Sequence, residues 1–259
     1  MMTEMTSTPL PIWVRLRRGM EPRKVRIAIY SNLESHDRAS PRRVLGAFTA
    51  ALDARLFGGA RASEEEVSEV RMPHHGLSAV VWTGTLSRTA PCDLCVVAHM
   101  VKASVPAACG LEIVEQHPNE RALLVRALGP DPEATLLDVD WAISFDPHGS
   151  PGISLRFAEP PARAVVLRFE QLVRAWAEMV SLGAYPLLDG RSSRARFSGT
   201  ELRREACLFA GFDRIRCGHS AFEALFSALN DLHREAPITR VDVACGAEEG
   251  TMRAPGVAA

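Results

Sequence analysis

The sequence predicts an α+β fold, a largely antiparallel sheet with amphipathic helices packed on one face. Three observations lead there. Strand-like runs such as GLSAVVWTG and ISLRF are frequent; ARAVVLRFEQLVRAWAEMVS and HSAFEALFSALNDLHREA repeat apolar residues at helical spacing; and the two kinds of element do not alternate regularly, as they would around a parallel sheet.

Taken in order, residues 1–22 are rich in Thr, Pro and Met and turn basic at Arg15, Arg17 and Arg18, the composition of a flexible N-terminal tail. The first strand is VRIAIYSN, with Val25, Ile27 and Ile29 on one face. Ser40 and Pro41 then open a helix whose stripe is Val44, Leu45, Phe48, Leu52 and Leu56, ended by Gly58-Gly59. After the polar SEEEVSEV come three apolar runs, GLSAVVWTG, DLCVVAHMVKA and ACGLEIVEQ, whose short connections predict an antiparallel meander. NERALLVRALG predicts a short helix.

Val139, Trp141, Ile143 and Phe145 alternate before the DPHGSPG turn, and Ile153, Leu155 and Phe157 after it, which predicts a hairpin stopped by Pro160-Pro161. The longest amphipathic helix runs through Val165, Phe169, Leu172, Val173, Trp176 and Val180 to Gly183. YPLLDGRSSRARFSG reads as irregular, ELRREACLFAG as a short helix and FDRIRCG as a short strand. HSAFEALFSALNDLHREA is a helix and ITRVDVACG the last strand. Residues 247–259 have the composition of a disordered C-terminal tail. The expectation is one domain over residues 23–246, with two lobes dividing near residue 160 as the alternative; no internal repeat is apparent.

A formal charge of −1 over 259 residues gives no whole-chain attraction to a polyanion, so no nucleic-acid partner is expected. No apolar run approaches the roughly 20 residues that cross a bilayer, and the N-terminus lacks a secretory signal. The expectation is a cytoplasmic protein without a membrane partner. Lysine occurs only at Lys24 and Lys102 while arginine and alanine abound, a codon bias of high-GC bacterial genomes. The six cysteines are sparse, which suits reduced thiols.

Chemistry is thinly signalled. In PCDLCVVAHM, Cys92 and Cys95 have C-x-x-C spacing with His99 four residues on. In an extended strand the two cysteines face opposite sides, and a thioredoxin-like pair would need a helix start where the β-branched Val96-Val97 follows. Buried strand thiols are therefore expected, with His99 sharing the face of Val97 and Val101. A metal site at Cys92, Cys95 and His99, extended by His74, His75, Cys217 or His219, is the alternative. His74-His75, between Pro73 and Gly76, reads as an exposed turn. No phosphate loop, dinucleotide fingerprint or esterase elbow occurs, so neither catalytic residues nor cofactors are expected. Arg191, Arg194, Arg196, Arg203 and Arg204 form the densest local charge, and the guanidinium fork suits the carboxylates of an acidic protein surface or a nucleotide phosphate. Together with Asp146 and His148 at the hairpin tip they are the candidate partner-binding residues.

The order of VRIAIYSN, AFTAALDARLF, GLSAVVWTG and DVDWAISFDPHG, with Trp82 and Trp141 in sheet strands, resembles the α+β immunity proteins of bacterial polymorphic-toxin systems over roughly the first 150 residues. The resemblance implies a cytoplasmic, non-catalytic bacterial protein that binds a toxin and blocks it by stoichiometric occlusion. The alternatives are a metal-dependent enzyme using the Cys/His ligands and a regulatory scaffold subunit of a larger assembly.

Overall fold

Strand β2 (Arg23–Asn32) buries Val25, Ile27 and Ile29 on one face, and α1 (Ala39–Asp53) lays Val44, Leu45, Phe48 and Leu52 into the same core. The computed structural model, which describes residues 10–15, 22–32, 39–57, 61–87, 91–116, 140–146, 151–187, 193–203 and 206–246, continues with β3 (Arg61–Met72), β4 (Leu77–Ser87), α2 (Pro91–Ser104) and β5 (Ala108–Glu115). These pair in the order β5-β2-β4-β3, all antiparallel. A short β1 (Ile12–Arg15), inside the segment expected to be a tail, adds to β5 in parallel.

The second half repeats this plan. Strands β6 (Asp140–Asp146) and β7 (Gly152–Phe157) are followed by α3 (Arg163–Ser181), β8 (Arg194–Arg203), β9 (Cys207–Arg216), α4 (His219–Glu235) and β10 (Ile238–Gly246). The sheet order is β6-β10-β7-β9-β8, with β6 parallel to β10 and the remaining pairs antiparallel. Each half is therefore a β-α-β-β-α-β unit of ferredoxin-like topology, preceded by one extra strand beside its last strand. The expected α+β class is shown. The boundary between the units falls between β5 and β6, ahead of Pro160-Pro161.

The helices of both units face each other. α1 packs on α3, and a continuous core runs from Val25 to Cys245. Trp82 of β4 meets Phe48 edge-on at 5.7 Å and donates from Nε1 to Thr49 Oγ1 at 3.1 Å. Trp176 of α3 does the corresponding work in the second unit, edge-on to Phe212 at 5.9 Å and donating to the Ala221 carbonyl at 2.7 Å. The units are tied by Arg43 to Glu178 at 2.7 Å and by Ser104 Oγ donating to the Leu182 carbonyl at 2.8 Å. Gly183 ends α3 at φ 83°, and a Cβ there would stand 2.4 Å from that of Ala103 on α2. Both the left-handed turn and the close approach demand glycine.

Several sequence expectations are corrected. DLCVVAHMVKA is helix α2: Leu94, Val97, Met100, Val101 and Val105 are all buried, a 3.6-residue stripe that outweighs the β propensity of its valines. SEEEVSEV lies in β3, an edge strand that needs little apolar content because much of it faces water. The expected hairpin does not form, because β10 inserts between β6 and β7. RARFSG and ELR form β8, and CLFAG opens β9, where irregular chain and a helix were expected. The expected helix in NERALLVRALG, the glycines at 58–59 and residues 247–259 lie outside the described residues. Pro73–His75 form the expected exposed turn, closed by Gly76 at φ 63°.

Candidate binding surface

In β8, Ala195 is buried and Phe197 packs against the core while Arg194 and Arg196 alternate with them and stay exposed. R-A-R-F is the period-two signal that identifies a strand. Gly199 within the strand and the neighbouring serines disguise it as a loop.

Along its edge, β8 meets α1 and α3 in a groove of about 1120 Å3. The floor is made of small residues, chiefly Gly46, Ala47 and Ala50 of α1 and Ala175 and Ala177 of α3. Arg43, Arg174, Arg194 and Arg196 rim it, against Asp53 and Glu178. Arg43 is hydrogen-bonded to Glu178, and that bond raises the arginine pKa further. Arg174 pairs with Glu170 at 2.6 Å and lies over the Phe197 ring at 5.4 Å; Arg196 reaches Asp213 at 3.1 Å. Arg194 has no ion-pair partner among the described residues.

The sequence-predicted residues are only partly brought together. Arg194, Arg196 and Arg203 share β8, with Arg203 bonded to Glu201. Asp146 ends β6, at the opposite edge of the sheet from β8 with three strands between, so it stands apart from Arg194, Arg196 and Arg203. Arg191, Arg204 and His148 lie outside the described residues. Arg43 and Arg174 were missed because the helical pattern there signals packing alone, and only the packing of α1 on α3 carries them to β8.

For the metal alternative, α2 changes the geometry. Cys92, Cys95 and His99 stand at i, i+3 and i+7, along one stripe of a helix and not on two faces of a strand. His99, expected on the face of Val97 and Val101, is exposed while both valines are buried. Among the described residues no three metal-binding side chains cluster. Cys217 is buried, which pushes its thiol pKa up, whereas His219 is exposed beside Glu223 at 3.9 Å. His74 and His75 belong to the exposed turn.

No protein-family model and no curated protein matches the chain. Among solved structures, an unknown protein from Galdieria sulphuraria aligns at 13% identity over 83% of this chain and 94% of its own, with a TM-score of 0.21. A chlorite dismutase from Candidatus Nitrospira defluvii in complex with imidazole aligns at 10% identity over 83% and 88%, with a TM-score of 0.19. At such scores the likenesses carry no argument about function. The described helices include none long and apolar enough to cross a membrane.

Proposed function

We propose that this is a binding protein that seats an acidic segment of a partner protein in the groove between α1, α3 and β8, acting by stoichiometric occlusion in the bacterial cytoplasm. One observation carries the reading: four guanidiniums rim a floor of glycine and alanine, and of the two carboxylates lining it Glu178 is already engaged by Arg43. Small side chains let a partner backbone approach, and exposed arginines with apolar surface beneath are residues of the kind that dominate interface energetics. The resemblance to immunity proteins makes a toxin the partner to test first.

Co-expression with the products of adjacent genes tests this. The expected result is a 1:1 complex, and suppression of toxicity where the neighbour is toxic, both lost in Arg174→Glu with Arg194→Glu at unchanged thermal stability. A complex indifferent to these substitutions, or no adjacent product that binds, contradicts it.

A further inference from the structure

The face of the second sheet that none of the described helices covers carries a second arrangement of arginines. Cross-strand register places Arg240 beside Arg156, Arg156 beside Cys207, and Cys207 beside Arg203, so one row crosses β10, β7, β9 and β8. Farther along β9, Arg214 stands opposite Arg196 and Arg216 opposite Arg194. Ala195, Ile215, Leu155 and Val241 point the other way into the core, which fixes the arginines on the open face. The two groups are roughly 20 Å apart at ~3.3 Å per residue. Between them lies a row of minimal side chains, Ala244, Gly152, Gly211 and Gly199.

Over that row lies a layered stack. The Phe209 ring covers Gly152 so closely that a Cβ there would stand 2.2 Å from ring carbons. The Arg203 guanidinium sits 3.5 Å from the centre of the same ring and is further held by Glu201. The result is an exposed, oriented, planar cation from the edge strand, laid over its neighbour β9.

Arginine outnumbers carboxylate on this face, although register also sets Asp140 of β6 beside Arg240 and Asp146 opposite Gly246. Asp242 bonds Arg240 at 2.8 Å, Glu201 bonds Arg203, and Asp213 at the bulge bonds Arg196. Arg156 and Arg214, both exposed, have no ion-pair partner among the described residues. Directly opposed like charges such as Arg196 and Arg214 oppose sheet pairing, and a polyanion would relieve that. The chain's −1 formal charge conceals the excess, because the compensating acids lie elsewhere, as in Glu64, Glu65, Glu66 and Glu69 of β3.

We infer that this face binds single-stranded nucleic acid. Its backbone phosphates meet the two arginine groups across the glycine row, and a base stacks on the Arg203 guanidinium that Phe209 supports. The stacked Arg203 guanidinium offers a base a planar partner as well as a charge, and the comparison with poly-glutamate below separates stacking from charge pairing alone. Arg194 and Arg196 belong to the groove rim as well, whereas Arg156, Arg240 and Phe209 do not line it, so substitutions at these three separate the two surfaces.

The test is fluorescence anisotropy of a labelled 20-nucleotide dT strand at salt concentrations from 50 to 200 mM. Wild type is expected to bind, with affinity falling as salt rises. Arg156→Ser with Arg240→Ser should weaken binding about tenfold or more at low salt and lower the log–log salt slope by about 0.7 for each phosphate no longer neutralised. Phe209→Leu should weaken binding while leaving the slope unchanged. Arg71→Ser, on the first sheet, should change nothing. The result that overturns the inference is absence of binding by the folded protein at 50 mM salt, equal affinity for poly-glutamate, or indifference to the Arg156/Arg240 change in a variant whose melting curve matches wild type.

Discussion

Strands β3 and β8 hold the same place in the two units, each an edge strand following the unit's first helix, yet β3 carries Glu64, Glu65, Glu66 and Glu69 where β8 carries Arg194, Arg196 and Arg203. Both strands are bulged, between Ser63 and Glu66 and between Arg196 and Gly199. Charge and bulges both discourage pairing of an edge with another chain, and either sign of charge serves. The fold therefore leaves the sign free. Outer faces differ in the same way: on the first sheet Glu112 accepts hydrogen bonds from both Arg26, at 2.6 Å, and Tyr30, at 2.7 Å, a locally balanced cluster. The second sheet keeps an excess of guanidinium. What the two units share is structural, and what separates them is the charge carried by the edge strand and the outer face.

The largest expected effects test the shared part. Trp82→Ala and Trp176→Ala remove equivalent anchors from a continuous core, and each should cost about 3–5 kcal/mol in a single unfolding transition followed by circular dichroism. Two separate transitions would show that the units do not share one core. Gly183→Ala should cost about 1–3 kcal/mol, since it strains the left-handed turn and drives a methyl into Ala103.

Smaller effects come from buried polar groups at the end of α3 and in the second sheet. The Tyr185 hydroxyl is buried with no hydrogen-bond partner among the described residues, so Tyr185→Phe should leave stability unchanged or raise it by about 1 kcal/mol in denaturant melts. Burial raises the thiol pKa values of Cys217 and Cys245, the latter up to about 11, and that of the Tyr185 hydroxyl. These groups fold neutral. Their contribution is complete below the unfolded thiol pKa near 8.5 and is lost as pH rises through the raised values, so the melting temperature should fall between pH 8.5 and 11. Cys245→Ala should flatten that fall. The smallest effect belongs to the exposed pair joining the units: Arg43→Met should change stability by less than about 1 kcal/mol while weakening partner binding.

The α+β class and the long helices were legible because periodicity survives wherever a face is buried, as at Val165, Phe169, Leu172 and Trp176. The duplication was not legible. Equivalent edge strands share exposure but not residues, so SEEEVSEV and RARFSGTELR look unrelated, and α2 hides among valines that favour strands elsewhere. Strand partners were also out of reach: β6 and β7 are close neighbours in sequence with turn residues between them, and their separation by β10 depends on a segment almost a hundred residues away. Of the binding surface, the arginines of β8 stand out in sequence as density of charge. Arg43 and Arg174 join Arg194 and Arg196 only through packing of α1 on α3, and Arg156 and Arg240 join Arg203 only through strand register.

The proposed docking site for a partner protein is the second unit's edge groove. Its most direct measurement is calorimetric titration of the purified partner into wild type and into Arg174→Glu with Arg194→Glu. A 1:1 complex is expected, weakened about a hundredfold or more by reversal of charge at the rim, with the melting temperature unchanged. An affinity within about twofold of wild type would contradict it.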